Sequence, residues 1–160
     1  MDWVLLGGAG IAATAVMDVI AFIRAKLFGV SGLNYAFVGR WLLNMPRGRF
    51  FHHPIMNSAP MRGELALGWV AHYAIGIALS WGLGALIGAE RALVPNALVH
   101  IGYGLVSVGL PFLIMQPGFG FGVFARKTPN PAQARKSSLI AHGAFGLGLY
   151  LACWGIALMR

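Results

Sequence analysis

The sequence predicts an all-α polytopic membrane protein: four transmembrane helices as two parallel hairpin repeats, with an interfacial helix in the first cytoplasmic loop. Three observations predict it. The 160 residues are 58% hydrophobic and only 10% charged, against about 25% charged in an average globular domain. Apolar residues gather in four stretches, each long enough for the ~20 residues that a helix needs to cross a bilayer. No stretch alternates apolar and polar residues as a strand would, and lipid leaves no backbone group unpaired, so the crossing elements are helices. At this length a single integral membrane domain, residues 1–160, is expected.

Span one runs from about Trp3 to Ile23. It carries Asp2 and no basic n-region, so it reads as a crossing helix rather than a cleaved signal. In the loop that follows, residues 24–64, Asn34 is placed to cap a helix. Tyr35, Val38, Trp41, Leu42 and Met45 recur there at helical spacing, Arg40 and Asn44 point elsewhere, and Pro46 ends the run. Such a helix would lie flat at headgroup level. Next comes Arg47-Gly48-Arg49-Phe50-Phe51-His52-His53-Pro54, a mixture of cations and aromatics suited to anionic lipid. Arg40, Trp41, Arg47 and Arg49 are therefore candidates to hold lipid headgroups.

Span two covers about Leu65 to Ile87, and the short hairpin Gly88–Val94 leads into span three, about Pro95 to Met115. Pro111 inside that span leaves the carbonyl of Ser107 without its usual partner. Met115-Gln116-Pro117-Gly118 reads as a turn by its Pro-Gly chemistry. Residues 116–137 form the second long loop, and span four runs from about Ser138 to Leu158.

The formal charge of +8 raises the question of nucleic acid, which the distribution excludes. Arg24, Lys26, Arg40, Arg47, Arg49 and Arg62 fall in one loop, and Arg126, Lys127, Arg135 and Lys136 in another. Both loops flank spans, as the positive-inside rule requires, which puts loops 24–64 and 116–137 in the cytoplasm and both termini outside. Arg160 is a minor exception. Cys153 is the only cysteine, so no internal disulfide, CxxC pair or cysteine zinc cluster can form.

Spans two and four echo one another. Val70-Ala71-His72-Tyr73-Ala74-Ile75-Gly76-Ile77-Ala78-Leu79 aligns without a gap on Ile140-Ala141-His142-Gly143-Ala144-Phe145-Gly146-Leu147-Gly148-Leu149. If the repeat is a duplication, each half is one hairpin and the halves are parallel about an axis along the membrane normal. Asp18 has no counterpart in span three.

Ionisable groups inside spans mark candidate sites, because lipid makes an unpaired charge costly. By helical rise Asp18, His72 and His142 lie at similar depth near the inner ends of their spans, with Glu64 and Gln116 at the inner mouth. Glu64, Gly68, His72, Gly76 and Ser80 share one helix face, as do Ser138, His142, Gly146 and Tyr150. Each of these residues also has a structural reading: Asp18 a hydrogen bond near the interface, Glu64 a first-turn residue favoured by the helix dipole, His100 a helix-packing histidine. The chain has no GxSxG, Walker A, HExxH or dinucleotide fingerprint, and so no motif that names an enzyme class.

Taken together, Met17-Asp18, Leu33-Asn34-Tyr35, Val38-Gly39-Arg40-Trp41, Met45-Pro46-Arg47-Gly48-Arg49-Phe50, Arg62-Gly63-Glu64, Gly68-Trp69, Ala71-His72-Tyr73, Met115-Gln116-Pro117-Gly118 and His142 resemble a family of small bacterial inner-membrane proteins catalogued as a domain of unknown function. The resemblance covers nearly the whole chain. It implies four helices in the bacterial inner membrane and transfers no reaction. Expected, then, is transport of a small solute or ion, with or without coupling to protons, with Asp18, His72, His142, Glu64 and Gln116 as relay or binding groups. Four helices enclose little volume, so a homodimer, or a place in a larger membrane complex, is expected. No cofactor is required. The alternatives are a haem or metal held by His72 and His142, with Asp18 as a further metal ligand, or a non-catalytic lipid-binding subunit.

Overall fold

A computed structural model of the chain describes residues 1–30 and 32–159. Arg160, the exception to the charge rule, lies outside the described residues. In order, the α-helices are α1 Asp2–Phe28, α2 Tyr35–Asn44, α3 Glu64–Ile87, α4 Ala89–Ala92, α5 Ala97–Ser107, α6 Gln116–Gly118 and α7 Pro131–Leu158. A π-helical segment, Pro111–Met115, lies between α5 and α6. Four helices are long and apolar enough to cross a membrane: Asp2–Phe28, Glu64–Ile87, Ala97–Gly118 and Pro131–Leu158. Val19, Phe22, Leu86, Leu98, Val106 and Trp154 stand exposed along them. Apolar side chains facing outward along a whole helix need a hydrocarbon solvent, not water.

The helices outrun the apolar stretches that announce them. α7 starts at Pro131, well before Ser138, because Asn130 caps it: its side chain accepts from the Gln133 amide at 3.1 Å, and Pro131 takes a first-turn place where no amide is needed. α1 continues through Arg24 and Lys26 to Phe28, where Gly29 adopts a left-handed conformation (φ 64°) and returns its amide to the Ala25 carbonyl. The expected turn at Met115–Gly118 is instead helix. The π segment absorbs Pro111 without ending the span, and the chain turns only after Phe119, at Gly120 with φ 81°.

The chain divides into two compact units: Met1–Gly32, Tyr73–Ser107 and Leu139–Arg160 form one, Leu33–His72 and Val108–Ser138 the other. In the first, Leu6, Ala9, Ala13, Leu83, Leu93, Phe145, Leu149 and Cys153 make the core. Small residues let its helices touch at the backbone. A Cβ on Gly10 would come within 2.6 Å of the Gly76 carbonyl, and one on Gly146 within 2.6 Å of the His100 carbonyl and 2.7 Å of the Ile101 Cα. Gly76 and Gly146 are the matching glycines of the sequence echo. Each lets its helix lie on the helix that precedes it in its own hairpin.

The second unit is built on α2. Asn34 caps this helix as expected, accepting from the Ala36 amide at 3.0 Å. Its buried face differs from the expected one. Val38, Gly39, Arg40 and Asn44 are buried, and Gly39 fits against the backbone of Glu64 and Gly68 in α3. The polar residues expected to point away are thus inside, since glycine at 39 and 68 brings the two helices too close to seat anything else between them. Ile55 and Phe119 complete this core with Val38. The irregular segment after α2 is stitched to the end of the third span: the amides of His52 and Ile55 donate to the carbonyls of Gly118 and Phe119, both at 2.9 Å. Irregular backbone at a membrane needs such internal partners.

Candidate functional site

In the first unit Asp18 is half-buried, and the Tyr73 hydroxyl donates to its Oδ2 at 3.1 Å. His142 Nδ1 lies 2.7 Å from the Ser107 hydroxyl, which also donates to the Gly104 carbonyl at 2.6 Å. Thr14, one turn before Asp18, donates to the Gly10 carbonyl at 2.8 Å. His100 is fully buried, with Nε2 3.0 Å from the Ala92 carbonyl and Nδ1 2.7 Å from that of Asn96. It ties the hairpin between the second and third spans together, the packing role expected of it.

In the second unit His72 Nε2 is 3.0 Å from the Tyr35 hydroxyl, and the two rings stack at 4.3 Å with Trp69 beside them. Tyr35 reaches His72 because Gly68 meets the Tyr35 backbone directly. Asp18, His72 and His142 thus each have a hydroxyl partner, from Tyr73, Tyr35 and Ser107.

Glu64 stands in the first turn of α3, as its structural reading has it, and pairs with Arg40. Arg40 is 5% exposed. Its Nε and one terminal nitrogen bond both Glu64 oxygens at 2.8 and 2.7 Å, and its other terminal nitrogen donates to the carbonyls of Ser58 at 2.8 Å and Ile55 at 3.2 Å. Glu64 also accepts from the Met61 amide at 2.7 Å as α3 begins. The pair therefore fixes the Ile55–Met61 segment onto α2 and α3. Arg40 is an internal strut, and both Glu64 oxygens accept hydrogen bonds within the unit. The carboxylate beside Arg40 holds its guanidinium even more firmly charged than usual. Gln116 is buried. Its amide nitrogen reaches the Ser138 hydroxyl at 3.3 Å, and its oxygen has no partner among the described residues. The Trp41 indole donates to the Phe50 carbonyl at 2.8 Å.

The model of a family described as a protein of unknown function, DUF2938, matches residues 8–156. The chain belongs to the DUF2938 family. No curated protein and no solved structure matches it. The membership covers all four crossing helices of this DUF2938 chain and the loop that carries Arg40 to Glu64.

The sequence singled out Asp18, His72 and His142 but not the hydroxyls that hold them. Helical spacing puts Tyr35 on the apolar stripe of α2, and nothing local in the sequence marks the hydroxyls of Tyr73 and Ser107. The signal for Tyr35 was its neighbour Asn34: a capped helix start is fixed in place, so its first residue can be aimed. His52 was also missed as a buried group. It is 6% exposed, its Nδ1 lies 2.7 Å from the Ser58 hydroxyl, and its Nε2 has no partner among the described residues. Burial pushes its ring below the usual histidine range, and the charges of Arg40, Arg49 and His53 push the same way. Among the described residues no group of three or more His, Cys, Asp or Glu side chains could hold a metal ion.

Asn44, Arg47, Arg49, Asn57, Ser58, Met61 and Arg62 line a cleft of about 690 Å³ in the second unit. The arginines at 47, 49 and 62 are exposed there.

Proposed function

We propose that the protein carries a small solute or ion across a membrane and exchanges a proton as it does so, with Asp18, His72 and His142 as the titrating groups. The observation that carries this reading is the hydroxyl held against each of them: Tyr73 on Asp18 at 3.1 Å, Tyr35 on His72 at 3.0 Å and Ser107 on His142 at 2.7 Å. A hydroxyl donates and accepts, so it can stabilise either protonation state of its partner and pass a proton on. A purely structural pair in lipid needs only one fixed donor and one fixed acceptor. The positive-inside rule favours placing the basic second unit on the cytoplasmic side of a bacterial inner membrane. Backbone contact at Gly10–Gly76 and Gly104–Gly146 leaves little room within a hairpin, which supports a second copy of the chain in forming the path.

Reconstituted full-length protein tests the reading. Under an imposed pH gradient, proteoliposomes should show proton flux linked to a solute screen. Asp18→Asn should reduce that flux by at least about tenfold, the effect of ~1.4 kcal/mol on a rate. Tyr73→Phe should retain the carboxylate and lose a smaller share. Wild-type flux in Asp18→Asn vesicles would reject Asp18 as a titrating group.

A further inference from the structure

Eight of the chain's twelve lysines and arginines, but only one of its four acids, fall in the second unit, a formal charge of +7. That acid, Glu64, is taken by Arg40. The remaining cations are thus uncompensated inside the unit, and three of them, Arg47, Arg49 and Arg62, converge on the 690 Å³ cleft, whose lining contains no carboxylate. We propose that this cleft holds the phosphate of an anionic membrane phospholipid, with an acyl chain lying along the apolar groove next to it.

Three features carry the proposal. The first is chemical. Guanidinium forks match phosphate oxygens, and Arg47 reaches the thioether of Met61 at 3.5 Å, a weak acceptor. The second is rigidity. Arg40 grips the Ser58 carbonyl at 2.8 Å, His52 meets the Ser58 hydroxyl at 2.7 Å, and the Arg49 amide donates to the Asn44 carbonyl at 3.2 Å. The cleft walls are therefore set before any ligand arrives, which lowers the ordering cost of binding. The third is a groove of about 410 Å³, lined by Trp41, Phe50, Phe51, Leu113 and Ile114 among others, whose lining follows that of the cleft directly along the chain. The chain passes from the cleft to the groove between Arg49 and Phe50. Leu113 and Ile114 belong to a crossing helix and are exposed on it. A free phosphate would use the cleft alone. A molecule with both a phosphate and a hydrocarbon tail uses both surfaces, and the bilayer supplies it.

The experiment uses full-length protein in detergent, with phosphatidylglycerol or phosphatidylcholine added and retention read by native mass spectrometry. Inorganic phosphate is titrated separately by calorimetry. Wild-type protein should retain phosphatidylglycerol in preference to phosphatidylcholine. Arg47→Gln/Arg49→Gln/Arg62→Gln should weaken that retention about tenfold or more, equivalent to ~1.4 kcal/mol. Phe50→Ser/Phe51→Ser should weaken it as well, whereas Gln at Arg126, Lys127, Arg135 and Lys136 should change it less than about twofold. Each variant is first matched to wild type in elution and helicity. Arg62→Gln alone, outside the Arg47–Phe51 turn, serves if the triple variant misfolds. Equal loss in the control variant, or none in the cleft variants, overturns the site. Tight binding of inorganic phosphate with a silent Phe50/Phe51 variant overturns the lipid and leaves a free-phosphate cleft. None of these readouts depends on flux.

Discussion

Arg40 and Arg47 lie seven positions apart on the same loop, yet one is buried and the other exposed. What separates them is Glu64, twenty-four residues beyond Arg40, which no local pattern couples to it. Helical period alone put Arg40 on the outer face. The long-range carboxylate and the glycine contact of α2 with α3 put it inside. A buried ion pair pays its desolvation through full hydrogen bonding, and Arg40 meets that demand with two carboxylate oxygens and two carbonyls. His52 belongs to the same scale and gives a pH prediction. Its folded-state pKa is lowered, so the unfolded chain binds the proton more readily. Its contribution to stability is full above the ordinary value of about 6.5 and is lost as pH falls through the lowered one. His52→Gln should therefore be less stable than wild type by ~1 kcal/mol at pH 8, the worth of one hydrogen bond. The gap should close toward pH 5. Melting temperatures in detergent across that range measure it; a gap independent of pH would deny His52 the role.

Helices were the most legible elements. Four apolar stretches became four crossing helices, and the capped helix after Asn34 formed where expected. Their ends were less legible, because apolar length marks what lipid needs, whereas Asn130 and Gly29 mark where hydrogen bonding begins and stops. The four-residue stripes were also readable. Along α3, Glu64 meets Arg40 and His72 meets Tyr35 in the second unit, while Gly76 meets Thr14 and Ser80 donates to the Leu6 carbonyl at 2.7 Å in the first. Along α7, Ser138 meets Gln116 in the second unit; in the first, His142 meets Ser107 and Gly146 meets the third span. What each position would meet was not readable, since a stripe names a face and not the helix it faces. Substituting the matched glycines tests their packing role. Gly76→Val and Gly146→Val should each cost about 1–3 kcal/mol, the first through overlap with the Thr14 side chain and the second through overlap with the backbone of His100 and Ile101. Gly102→Ala, which would meet nothing within 4 Å, should cost less than ~0.5 kcal/mol. Thermal unfolding of the three variants in one detergent compares them directly, and equal losses would dismiss the close contact as the cause.

For the molecule as a whole, the charge asymmetry was visible in sequence as two basic loops, but not that both loops contribute to one packed unit. Pairing of His52 and Ile55 with Gly118 and Phe119 creates that unit, and it joins residues more than sixty positions apart. This arrangement predicts a single accessible side for both loops. Cys153 is fully buried, so it should leave little background in thiol labelling. Cysteines introduced at Asn57 and Thr128 should be protected from an impermeant maleimide added to intact cells and labelled after lysis. One at Glu90 should be labelled in intact cells. Opposite behaviour of Asn57 and Thr128 would break the four-crossing topology.

The π segment at Pro111–Met115 has a consequence for how the chain tolerates change in length. Its closing bond runs from the Gln116 amide to the Pro111 carbonyl, one residue farther than an α turn reaches. In effect the third span carries a surplus residue. Deleting one position there would restore an ordinary ladder and leave the residues beyond it near their present phase, whereas inserting one would turn everything beyond it by about 100°. Gln116 would swing off Ser138, and Gly118 would no longer back onto Trp41. The contacts of Gln116 and Gly118 inside the second unit thus rest on the count of residues in one turn, which can lose a residue but not gain one.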